Sequence, residues 1–197
     1  DSLPDGWGNL LLDRVLRKYG LDPALLTTIQ RLSLVGNNGM GALTYEPAFA
    51  VPEPQALEGL NEIAAEVEMI MNDQTYSETV DELYRQAGSS AGARPKVLIM
   101  HEGEHWLVKF ASSMDPYNVG EIEFEYSQRA RRAGIEMPET RLFEGKYFGV
   151  KRFDREGVER IHMISAAGLL HADFRVPSLD YTELIKATRA LTGSVVE

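Results

Sequence analysis

The apolar residues of this chain change their period around residue 88, and that change limits what the chain can build. Before it, "LLLDRVLRKYG" places Leu11, Leu12, Val15 and Leu16 on one helical face with Gly20 as a stop, and "QALEGLNEIAAEVEMIMN" repeats Leu57, Leu60, Ile63, Val67 and Ile70 at helical spacing. A second helix is expected over Pro23–Leu34, with Ile29, Leu32 and Leu34 apolar, and a fourth over "SETVDELYRQA" ending at Gly88. Between them "VGNNGMGALTYEP" reads as a loop with a short strand at Ala42–Tyr45, and Pro52 and Pro54 break the chain. After the change, "KVLIMHEGEHWLVKF" carries two β-rich runs around Glu-Gly-Glu, a hairpin, and "TRLFEGKYFGVKRF" reads as a second one. Between the hairpins "VGEIEFEYSQRARRAGI" is a helix with Ile122, Tyr126 and Ala130 on one stripe and Gly134 as its stop. "ERIHMIS" is expected to add a strand, and Asp180 with Glu183 has capping-box spacing ahead of a last helix carrying Leu184, Ile185 and Leu191.

Composition removes several classes of function. With 197 residues, 44% of them hydrophobic and 25% charged, the chain has room for one large domain or two small ones. It has no cysteine, which excludes disulfides and thiolate metal sites, and no apolar run of membrane-spanning length. A formal net charge of −10 argues against broad contact with nucleic-acid phosphates, so a DNA role would come through a basic partner. The expected location is cytoplasmic. Because the sequence opens at Asp1 rather than Met, it reads as a fragment.

The junction itself, "GSSAGARPKVLI", holds small residues and cations ahead of a strand. Small residues let backbone N–H groups approach an anion, although a Gly/Ser-rich stretch is equally an ordinary turn. Its downstream neighbours give the stretch meaning: a strand, a hairpin ending near Lys109, a helix rich in glutamate, and a hairpin closing on "KRFDR". A nucleotide-binding lobe needs those parts in that order, with the loop over the phosphates, a strand lysine on them, a helix glutamate orienting the lysine, and a hinge for the base. Two tempting signals are set aside. "HADFR" at His171–Arg175 would force one Asp173 to be both base and metal ligand, and it lies too close behind Phe153 for the intervening helices of a kinase. His101 and His105 flank a turn without further clustered ligands, so no metal site is expected.

On "LPDGWGNLLLDRVLR", "GNNGMGALTYEP", "GSSAGARPKVLI", "WLVKF", "EIEFEYSQRARRAGIEMPETRLFEGKYFGVKRFDR" and "RIHMISAAGLLHADFRVPSLDY", the chain resembles the HipA family of toxin–antitoxin serine/threonine kinases. The resemblance implies an α+β, protein-kinase-like N-terminal lobe, an antiparallel sheet with helices, preceded by a small helical accessory segment. It implies three parts: 1–87 the accessory subdomain, 88–155 the nucleotide-binding lobe, and 156–197 the segment after the hinge with the start of a helical lobe. By the resemblance Ser89, Ser90, Ala91, Gly92, Ala93, Arg94 and Lys96 form the loop over ATP, with Ser89 the autophosphorylation position and Ser90 its rival. Lys109 is the phosphate lysine, Glu123 its partner with Glu121 and Glu125 in reserve, and Lys151, Arg152 and Phe153 the hinge, whose side-chain identities are expected to matter little.

The implied cofactors are ATP and Mg²⁺. The catalytic base and the metal-binding Asp and Asn are expected beyond Glu197, so no catalytic residue is assigned within the chain and the 197 residues alone are expected to be inactive. The implied partners are a HipB-like DNA-binding antitoxin and a protein substrate, one from the translation machinery among the candidates, without direct nucleic-acid or membrane contact. The competing reading is a non-catalytic interaction module that binds an antitoxin–DNA complex.

Overall fold

The structure is a computed structural model that describes residues 2–49, 59–72, 79–87, 89–90 and 92–193. The described chain divides into two units, 2–162 and 163–193. Gly88, Ala91, Pro52, Pro54 and the first turns expected of the third and fourth helices lie outside the described residues.

In the larger unit, α1 (Trp7–Lys18) buries Leu11, Leu12, Val15 and Leu16, and Gly20 follows it at φ 73. α3 (Leu60–Met71) buries Ile63, Val67 and Ile70, and α4 (Val80–Ala87) buries Val80, Leu83, Tyr84 and Ala87. Each of these helices has an apolar face that water disfavours, at roughly 1.5–3 kcal/mol per buried aliphatic side chain. They cover it against a sheet.

The second expected helix is two pieces. A short 3₁₀ turn, Pro23–Leu25, is separated from α2 (Thr28–Val35) because Thr27 takes an extended conformation and caps α2, exchanging hydrogen bonds with Gln30. The buried position also differs from the expected ones: Ile29 is 76% exposed, and Val35 is the buried residue. No strand forms at Ala42–Tyr45, because the carbonyls just before it are occupied by arginine side chains and Tyr45 N–H returns to Gly36 O.

The sheet has strand order β1-β2-β4-β3, all antiparallel: β1 (Lys96–His101), β2 (Glu104–Lys109), β3 (Thr140–Phe143) and β4 (Tyr147–Lys151). Glu102 and Gly103, at φ 52 and 79, make the two-residue turn between β1 and β2, a backbone twist that suits tightly paired strands. Alternation then sorts the side chains. Val97, Trp106, Val108, Phe143 and Tyr147 join the core under α1, α3 and α4, while Lys96, Leu98, Leu107, Lys109 and Val150 share the opposite face. Trp7 ties the helices to the sheet by donating its indole N–H to Lys96 O at 3.1 Å, so one core joins the residues before and after position 88.

α5 (Val119–Arg132) packs against β3 and β4 through a stripe other than the expected one. Tyr126 is 67% exposed, whereas Gly120 and Ser127 are buried. A side chain at Gly120 would begin 2.0 Å from Lys146 O, and Ser127 Oγ lies 2.8 Å from Thr140 Oγ1. The helix therefore approaches on its smallest and most polar residues, which a hydrophobic pattern cannot reveal. Beyond β4, the expected "ERIHMIS" strand shrinks to β6 (Glu159–Arg160), paired only with β5 (Arg155–Glu156).

In the smaller unit, α6 (Ala166–Leu169) is capped by Ser165. α7 (Tyr181–Thr192) has the expected Asp180/Glu183 capping box and ends on left-handed Gly193. None of its described side chains is buried.

Candidate functional site

The candidate site begins where the Gly-rich segment meets the polar face of the sheet. Lys96 and Lys109 are direct cross-strand partners and project to the same face. Two like charges side by side disfavour each other, and Lys96 is also buried. Burial first, and then the Lys109 charge, pull the Lys96 ammonium down to about 8. Its Nζ donates to Gly92 O at 3.1 Å.

Of the three candidate glutamates, Glu123 is the one that reaches the strand lysine: Lys109 Nζ donates to Glu123 Oε2 at 2.8 Å. Glu125 pairs with Arg129 instead, and Glu121 is exposed to solvent. Residues two apart on a helix face different ways, so Glu121 and Glu125 point away from the direction in which Glu123 meets Lys109.

Arg94 reaches in from the Gly-rich segment and bridges two carboxylates, Glu123 Oε1 at 2.6 Å and Asp115 Oδ1 at 2.7 Å. Asp115 is prepared for this by the main-chain N–H and hydroxyl of Ser112, at 2.9 and 2.8 Å. The Ser112 N–H bond leads the effects that hold its carboxyl below the ordinary value. Lys96, Lys109 and Arg94 thus meet Glu123 and Asp115, with the Asp5 charge also acting on Lys96, and a cleft of about 470 Å³ opens beside the Lys109–Glu123 pair, lined as well by Arg94, Phe110, Ser112 and, from α3, Val67 and Met71. The half-buried Leu98, Leu107 and Val150 lie on the same sheet face as the lysines but outside that cleft. The arrangement offers cations for a polyanion next to an apolar strip for a flat ring.

Ser89 and Ser90 are both buried. Ser89 Oγ accepts the Met40 N–H at 2.9 Å, and Ser90 Oγ has no hydrogen-bond partner among the described residues. Gly92 and Ala93 lie on the α1 N-terminus: Trp7 N–H donates to Gly92 O at 3.1 Å, and a side chain on Gly6 would begin 2.6 Å from that oxygen. The sequence signal for this support, "DGWG", sits more than eighty residues away from the loop it carries and is absent from the sequence-derived site.

At the expected hinge, the main-chain N–H groups of Lys151 and Arg152 are taken by Glu139 O and His105 O, both at 2.8 Å. Phe153 is 60% exposed. Side-chain identity matters here more than expected, because Arg152 is buried and forks onto Asp154 through two bonds of 2.9 and 2.7 Å. Asp154, also absent from the sequence-derived site, is among the most buried residues of the protein.

The family model described as HipA-like C-terminal domain matches residues 88–196 of the chain. No curated protein and no solved structure matches the chain.

Proposed function

The chain belongs to the HipA-like family, and on that premise we propose that it carries the nucleotide side of an ATP-dependent serine/threonine kinase toxin. In this reading residues 88–155 are the nucleotide-binding lobe. Lys109 holds the α- and β-phosphates with Glu123 orienting it, Lys96 and Arg94 add positive charge from the loop, and the Leu98–Leu107–Val150 strip takes the adenine, with Phe153 at the hinge. The observation that carries the reading is the Lys109–Glu123 pair at 2.8 Å, with Lys96 as the cross-strand partner of Lys109 and a cleft that both members of the pair line.

The donor set suits a polyphosphate. Lys109 and Arg94 both pair with Glu123, and a phosphate oxygen can replace Glu123 or Asp115 on Arg94 without leaving that guanidinium bare. Mg²⁺ would supply charge neutralisation on the phosphates. The reading assigns its carboxylate ligands and the catalytic base to sequence outside this chain, and it takes a HipB-like antitoxin as the partner. The γ-phosphoryl then passes to a serine or threonine hydroxyl and ADP leaves.

The experiment is Lys109→Met in the intact protein. The fold, read by circular dichroism and melting, should be unchanged, because a partly exposed ion pair contributes at most about 1 kcal/mol. Phosphate transfer should fall by about 100-fold or more, the scale on which a lost electrostatic contact to the transition state acts. Transfer at the wild-type rate would overturn the assignment.

A further inference from the structure

Asp154 gathers charge that the proposed reaction does not use. Arg152 grips both of its oxygens, Arg155 donates to Oδ2 at 2.8 Å, and the Gly41 N–H reaches the same oxygen at 2.7 Å. The arginines then reach past the carboxylate to the backbone of the 37–41 segment. Arg155 donates to Gly39 O and Gly41 O, at 2.9 and 3.0 Å. Arg160 donates to Asn37 O, Gly39 O and Gly41 O, at 3.0, 2.9 and 3.1 Å. Three successive odd-numbered carbonyls are held by guanidinium groups more than one hundred residues away in sequence.

The even-numbered residue between two of them, Met40, points its N–H the other way, into Ser89 Oγ. The 37–41 segment is therefore clamped from one side by residues directly after the hinge and holds a Gly-rich-loop hydroxyl on the other. A Cβ built on Gly39 would lie 3.5 Å from that hydroxyl oxygen, so the segment packs against Ser89 as well as bonding to it. Ser89 is buried at this contact, so a phosphate on its Oγ needs room that the packed segment does not leave.

We infer that Asp154 and Arg160 are positioning residues for the Gly-rich loop, acting through the 37–41 segment, which keeps Ser89 inward and must release before Ser89 can be modified. That Ser89 is a phosphorylation site rests on the function proposed above. The mechanical link does not, because it stands on hydrogen bonds between the segment, the clamp and the loop.

Arg160→Ala tests the link. It removes three donors to the segment and leaves Asp154 paired with Arg152 and Arg155, so no buried charge is orphaned. Hydrogen exchange on the intact protein should then show the Met40 amide and the amides of Ser89, Ser90 and Gly92–Arg94 opening about tenfold faster, with β1–β4 unchanged, as expected for a local opening unit. Arg160→Lys, which keeps the charge but gathers its donors on one nitrogen in place of the three that Arg160 uses, should move the same amides in the same direction by less. Faster exchange at 37–41 with the loop amides unmoved would overturn the inference, and so would no change in either place. Incubation with MgATP and mass spectrometry of Ser89 makes the second arm. A several-fold faster phosphorylation in Arg160→Ala supports the gate; equal rates in the two proteins, with the loop amides already shown to open, overturn the gating of modification. If neither protein takes up phosphate while the loop amides respond to Arg160→Ala, the kinase reading fails and the positioning link stands.

Discussion

Glu123 and Asp154 each draw together two cationic side chains within one unit of the protein, on very different terms. The Glu123 side chain is 21% exposed, and its partners Lys109 and Arg94 are more exposed still; the Asp154 side chain is 1% exposed with Arg152 and Arg155 nearly as deep. An ion pair at the water's edge can trade one partner for another, because solvent screens the charges and rehydrates whichever is released. A buried pair cannot, since removing one partner strands the other in a medium that does not solvate it. The first cluster is thus the one able to accept a polyphosphate, and the second is the one able to hold a backbone segment in place.

The largest test of that contrast is Asp154→Ala. It leaves Arg152 and Arg155 facing each other without their anion, and stability should fall by about 3–5 kcal/mol. The urea midpoint measures it, and a loss below about 1 kcal/mol would put Asp154 in the same class as exposed pairs. The acid side should agree in sign. Burial alone would raise the Asp154 carboxyl, but the Arg152 hydrogen bond, the Gly41 N–H and the charges of Arg152 and Arg155 together hold it at about 2, below its ordinary 3.8. Its contribution is complete above the unfolded value and is lost as pH falls through about 2.

Next in size is Gly120→Ala, which sharpens the exposed side of the comparison. The added methyl overlaps the Lys146 carbonyl, so α5 must move away from β4, at about 1–3 kcal/mol. Glu123 moves with it. Binding of inorganic tripolyphosphate, measured by titration calorimetry, should weaken in this variant. Unchanged binding would show that the placement of Glu123 beside Lys109 does not matter to the anion.

The smallest effect is a pH dependence that needs no substitution. Lys96 is protonated below about 8 and neutral above it, because burial and Lys109 lower it from 10.5. Tripolyphosphate affinity should therefore decline as pH rises through about 8, and the decline should vanish in Lys96→Met. The stability sign runs the other way: the unfolded chain holds this proton up to about 10.5, so folding gains from Lys96 as pH rises between those values.

How far the site is legible in the sequence differs residue by residue. Lys109 is legible because it ends a β-rich run after a hairpin, and the choice of Glu123 among three glutamates follows from helical register. The role of Ser89 as acceptor of the Met40 N–H is not legible, nor is the support of Gly92 by Trp7. Those are main-chain contacts between distant segments, and a backbone N–H leaves no mark in the sequence. The α5 stripe escapes for a related reason: Gly120 and Ser127 carry the packing, and neither registers as apolar.

By itself the sequence determined the helices whose apolar residues recur at 3.6, the two hairpins whose residues alternate at 2, the capping box at Asp180, and the absence of thiol chemistry. These depend on neighbours within a few positions, where periodicity and turn chemistry act directly. Only the tertiary structure decided that "KRFDR" would send three arginine and aspartate side chains inward, that Arg160 would join them, and that "GNNGMG" would be their target. A charged residue is ordinarily a solvated one, and whether it is buried instead is set by partners that arrive from more than a hundred residues away, once the sheet has closed and left the carbonyls of Gly39 and Gly41 with no strand to pair with.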